Sequence, residues 1–95
     1  MTMGKDEFLR LAGLEIRTLD VWIEERWLVP EVTASGPAFS DRELSRARLI
    51  HDLKGTFGVN DEGIDVILHL VDQMHGLRDA LAQLRNVVTE PGHRS

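Results

Sequence analysis

Residues 60–88 read NDEGIDVILHLVDQMHGLRDALAQLRNVV, and within them Ile67, Leu70, Met74, Leu77, Leu81, Leu84 and Val88 follow one another at alternating spacings of three and four. That period of 3.5 makes a seam along a helix that suits a second helix. A helix over about Asn60 to Glu90 would extend about 45 Å at roughly 1.5 Å per residue, longer than the remainder of so small a domain could cover. The expectation is that the part through about Val71 covers its own domain. Met74, Leu77, Leu81, Leu84 and Val88 would then form the interface of a homodimer. Met74 falls at an a position, Arg78 and Arg85 at e, and Gln73 and Ala80 at g, a width that fits two strands and leaves their direction open.

Working back from this stretch, Asn60 reads as a helix N-cap, with Asp61 and Glu62 in a first turn that favours negative charge and Val59 placed to staple on Ile64. The preceding helix opens in a capping box, Ser40-x-x-Glu43, with Phe39 positioned to staple on Leu44. It carries Leu44, Ala47, Leu49, Ile50 and Leu53 inward and stops near Gly55 to Gly58. Glu31-Val32-Thr33-Ala34-Ser35-Gly36-Pro37 is rich in turn formers and predicts a short hairpin or wing. A helix is expected from about Arg17 to Leu28, ahead of Pro30, with Leu19, Trp22, Ile23 and the stem of Arg26 inward and Trp27 at the border. Asp20, Val21, Glu24 and Glu25 fall on its outward side. A first short helix spans Asp6 to Leu11 and ends at Gly13.

A chain of 95 residues with 42% hydrophobic and 28% charged residues is that of one globular domain, not of a disordered segment. There is no cysteine, which removes disulfides, thiolate nucleophiles and cysteine-ligated metal sites, and fits a reducing compartment. The first seven residues lack the apolar core of a signal peptide and no stretch is long enough to span a bilayer, so a cytoplasmic location is expected. Net charge is −5, a poor start for neutralising phosphates. Met1 to Pro37 holds four basic and seven acidic residues, Ser40 to Gly58 four and three, and Val59 onward three and six. No region is a basic patch.

The motifs that would carry chemistry are missing. His51, His69 and His75 include no pair at the i, i+4 spacing that sets two imidazoles on one helix face, so no metal is expected. Ser35, Ser40 and Ser45 fit turns, a cap and a helix surface, and none stands in a Gly-x-Ser-x-Gly elbow. Gly36, Gly55, Gly58 and Gly63 do not make a phosphate-binding loop, because the P-loop lysine pattern is absent. The expectation is a non-enzymatic chain without cofactors. Trp22 and Trp27 read as core or border residues.

Phe8-Leu9-x-x-Ala12-Gly13-Leu14, Thr18-Leu19-Asp20-Val21-Trp22 and Trp27-Leu28-Val29-Pro30, followed by a wing and a long helix, resemble the succession of parts in MerR-like winged helix-turn-helix proteins. The resemblance implies a mainly α fold with a winged helix-turn-helix domain over 1–58, a coiled-coil dimerisation helix over 59–90 and a disordered tail over 91–95. It also exposes a departure. DNA-binding members carry Thr-Leu-Arg-Tyr-Tyr and Gly-Leu-Leu-x-Pro in these places, whereas Asp20 and Val21 here replace the arginine and tyrosine that would meet the DNA backbone, and the wing arginine is replaced around Pro37. A carboxylate in that position repels phosphate.

A closer resemblance, over about Asp6 to Leu84, is to the CbpM-type chaperone modulator family. It is carried above all by Asp52-Leu53-x-x-x-Phe57-Gly58-Val59-Asn60-x-Glu62-Gly63-Ile64-x-Val66-Ile67-Leu68-x-Leu70-x-Asp72-x-Met74-x-x-Leu77. It implies a protein that binds and inhibits the J-domain of a DnaJ/CbpA-like co-chaperone, limiting its stimulation of Hsp70. J-domains of that family present a basic helix, for which an acidic helix is a complement. Asp20, Val21, Glu24 and Glu25 are the candidate partner-binding residues, with Asp61, Glu62, Asp65, Asp72 and Asp79 on the long helix as a rival surface. The alternative is a MerR-like transcription regulator that binds DNA through the same helix-turn-helix.

Overall fold

The computed structural model describes residues 2–89, with side chains through Val87. Among these, four helices and a small sheet follow in the order β1 (Thr2–Met3), α1 (Lys5–Ala12), α2 (Ile16–Glu24), β2 (Glu31–Thr33), β3 (Gly36–Ser40), α3 (Asp41–Gly55) and α4 (Asp61–Thr89). Two units divide the chain, Met1–Ile64 and Asp65–Ser95. The expected tail over 91–95 and the side chain of Val88 lie outside the described residues.

In the first unit the hydrophobic centre is formed by Phe8, Leu19, Trp22, Trp27, Leu28, Phe39, Ala47, Ile50 and Ile64, each no more than 4% exposed. Phe8 of α1 and Phe39 of β3 stack with ring centroids 4.3 Å apart and planes 15° from parallel, which fixes the first helix on the sheet. The wing forms as expected: β2 and β3 pair antiparallel with Glu31 opposite Ala38, Val32 opposite Pro37 and Thr33 opposite Gly36. One strand was not foreseen. β1 pairs antiparallel with the other edge of β3, Met3 opposite Phe39, so the sheet runs β1-β3-β2. Met3 is buried there.

The helix ends follow local chemistry. Gly13 takes φ 68° after α1, and its N–H donates to the Leu9 carbonyl. Ser40 and Glu43 form the capping box: the Ser40 N–H donates to Glu43 Oε1 at 3.0 Å and the Ser40 hydroxyl to the same oxygen at 2.8 Å. Asn60 caps α4, its Oδ1 accepting the Gly63 N–H at 2.8 Å.

The end of α2 corrects the sequence reading. The helix does not run on to Leu28 but stops at Glu24, because Arg26 adopts a left-handed φ of 63°. Its N–H donates to the Ile23 carbonyl at 3.0 Å and the Trp27 N–H to the Trp22 carbonyl at 2.9 Å, the paired bonds of a Schellman stop. The apolar contact that accompanies this motif is Trp22 against Trp27, ring centroids 6.2 Å apart. Arg26 is exposed rather than inward, and Trp27 is core rather than border at 2% exposed. Counting back from Pro30, Arg26 stands where the Gly-Leu-Leu-x-Pro run has its glycine.

Trp27 is also held from α3. Arg46 Nε donates to its carbonyl, and Lys54 Nζ lies 5.6 Å from its ring centroid while pairing with Asp61. These contacts tie Trp27 to the middle and end of α3, and through Lys54 to Asp61 at the start of α4.

Within the second unit Leu68 is 2% exposed, whereas Leu70 is 56%, Met74 45%, Leu77 66%, Leu81 64% and Leu84 59% exposed. Ile67 and Val71 are half-buried. Val66, one turn before Leu70, is 58% exposed as well, so the uncovered apolar line begins there rather than after Val71, and the buried position falls at Leu68, outside the seam read from the heptads.

Candidate functional site

The outward side of α2 is built by the helix period. Leu19 and Trp22 are buried, so Asp20, Val21 and Glu24 are turned away from the core, with Glu25 at the cap. All four sequence-predicted partner residues lie exposed on this one short element, Val21 at 50%. They present three carboxylates around one β-branched apolar side chain. Glu15, at the N-cap, makes no side-chain capping bond.

The neighbouring cations temper this field. Lys5 Nζ stands 3.5 Å from Asp20 Oδ1, a pair whose side chains are 36% and 60% exposed and which contributes little to stability. Arg17 lies one helical turn before Val21 on the same stripe, and Arg26 projects just beyond the helix end. Asp20 is thus paired with one cation, and Arg17 and Arg26 set positive charge before and after the acidic middle of α2. Lys5 belongs to this face although it is fifteen residues away in the sequence, because the fold of α1 brings it to Asp20.

Beyond the end of α2 the chain enters the wing. From Trp27 to Ser40 there is no Lys, Arg or His, and Glu31 is the sole charged residue. Val29 is 65% and Val32 89% exposed, and Pro37, across from Val32, is exposed as well. The tip is tied by the Thr33 hydroxyl, which donates to the Gly36 carbonyl at 2.6 Å and accepts the Ser35 N–H at 3.3 Å.

A helix-turn-helix with a two-stranded wing and a long final helix is thus in place. A family model described as MerR HTH family regulatory protein matches residues 3–86. The chain belongs to that family. Comparison with curated proteins and with solved structures gave no match. Membership fixes the reading of the parts: α1 and α2 are the helix-turn-helix, and β2–β3 is its wing.

The expected dimer residues Met74, Leu77, Leu81 and Leu84 are all exposed along α4. Arg78 and Arg85 border them on the same helix. Among the described residues no cluster of three or more His, Cys, Asp or Glu is placed to hold a metal ion. None of the described helices is long and apolar enough to cross a membrane.

Proposed function

We propose that this MerR-family chain is a non-enzymatic chaperone modulator that binds the J-domain of a DnaJ/CbpA-like co-chaperone and limits its stimulation of Hsp70. The observation that carries this reading is the exposed Asp20-Val21-Glu24-Glu25 face on the helix that reads DNA in other members. CbpM-type modulators belong to the same family. Carboxylates on α2 attract the basic helix of a J-domain over a distance set by ionic strength, and Val21 supplies apolar contact once water is expelled. Inhibition is competitive: the covered basic helix is withheld from the chaperone, and no covalent chemistry is involved.

The active form in this proposal is a homodimer. A line of five exposed apolar residues, Leu70, Met74, Leu77, Leu81 and Leu84, on one helix is a surface that water disfavours and a second copy would bury.

Calorimetric titration with an isolated J-domain, run beside a gel shift with nonspecific duplex at low salt, tests the reading. Binding of the J-domain and no shift of the duplex is the expected result. Tight duplex binding with no heat from the J-domain would assign the chain to transcription regulation instead.

A further inference from the structure

The geometry points to the wing as the apolar half of the same docking surface. We infer that Val32, with Pro37 beside it, seats the apolar side of an amphipathic helix whose basic side meets α2. This rests on the proposed J-domain reading and adds to the contact of Val21 a second, larger apolar anchor.

Three observations lead there. First, alternation along β3 sets Pro37 on the same face as Phe39, and the pairing of Val32 with Pro37 and of Met3 with Phe39 extends that face across all three strands. Met3 and Phe39 are buried, while Val32 and Pro37 continue the same apolar face out into solvent. Second, the tip is ordered before any partner arrives, since Thr33 bonds both Gly36 and Ser35; a preformed finger loses little entropy on docking. Third, Val21 is the single apolar residue among Asp20, Val21, Glu24 and Glu25, and Asp20 is already paired with Lys5, so α2 suits steering and a second element is needed for adhesion.

The occupant follows from chemistry. With no cation from Trp27 to Ser40 and Glu31 as the sole charge, the wing has nothing to hold phosphate and nothing to repel a basic protein. β2 is three residues long, too short an edge to template an added strand, so a helix is the fitting partner. Five residues lie between Glu25 and Glu31, which can therefore be at most about 20 Å apart, a distance one helix of roughly four turns covers.

The test uses the full chain carrying Val32→Ser, Val32→Thr or Val32→Lys, titrated with the isolated J-domain at two salt concentrations. Thermal unfolding should be unchanged for all three, because Val32 is 89% exposed. Val32→Ser should weaken binding about tenfold, the loss of one buried valine side chain, without altering the salt dependence. Val32→Thr, which keeps the β-branched shape, separates a lost apolar contact from a melted wing and should weaken binding with the hairpin intact. Val32→Lys should weaken it further and gain no affinity for nonspecific duplex.

Wild-type binding that all three variants leave unchanged would overturn the wing assignment and spare the J-domain reading. Wild-type protein that ignores the J-domain would remove both. A lysine variant that gains tight duplex binding would show a DNA-facing wing and overturn the assignment as well.

Discussion

At Arg26 the chain places an arginine where the backbone asks for glycine. A non-glycine residue in the left-handed region costs roughly 1–2 kcal/mol, which here the two Schellman bonds and the Trp22–Trp27 contact offset. Arg26→Gly should therefore stabilise the fold by about 1 kcal/mol, less what the freer unfolded chain loses, and urea denaturation would read it as a higher midpoint at unchanged slope. A lower midpoint would mean that the exposed guanidinium carries more than its backbone strain. Gly63 behaves in the opposite way. A Cβ there would lie 2.6 Å from Val59 Cγ1 and 3.1 Å from the Asn60 oxygen that caps the helix. Alanine normally gains about 1 kcal/mol over glycine inside a helix, yet Val59 is stiff at χ1 and the cap bond is itself worth about 1 kcal/mol. Gly63→Ala should accordingly destabilise by about 1 kcal/mol or more, and adding Val59→Ala should recover part of the loss. Equal effects of Gly63→Ala with and without Val59→Ala would place the strain elsewhere.

Among the elements, those set by neighbouring residues were legible in the sequence. The capping box at Ser40, the Asn60 cap and the Gly13 stop are written within four residues of where they act, and each stands where it was read. β1 was not legible, since two residues become a strand through Phe39 and Ser40, which lie far along the chain. The end of α2 was missed for a related reason: arginine is a good helix former, and its left-handed turn is imposed by the burial of Trp27 and Leu28. The outward side of α2 was legible from its period, whereas the Lys5 that offsets it was not.

α4 brings its own prediction. Leu77 and Leu81 are more than half exposed, so in an isolated chain an aspartate at either position would change stability little. In a dimer it would put an unpaired charge into an apolar seam. Leu77→Asp or Leu81→Asp should convert a dimer to monomer or unfolded chain by sedimentation. A wild-type protein that stays monomeric at high micromolar concentration would refute the dimer.

For the whole molecule, net charge of −5 and the arrangement of charge around α2 decide which class of partner approaches first. Replacing Asp20, Glu24 and Glu25 together by lysine turns the middle of the face positive and joins it to Lys5, Arg17 and Arg26. All three acids are exposed, so the fold should survive with at most a small change in unfolding midpoint. Affinity for the J-domain should then fall at least tenfold at low salt, and its dependence on ionic strength should flatten, because the screened attraction is the part removed. Nonspecific duplex should gain affinity in the same variant. Lys5→Ala is the counterpart with the opposite sign: it frees Asp20, costs little stability for so exposed a pair, and should leave J-domain binding equal or tighter. Unchanged affinity in the triple variant would move the docking surface off α2, most simply to the acidic residues of α4. Weakening in both variants would mean that the Lys5–Asp20 pair is part of the contact, with the cation facing the partner alongside the acids.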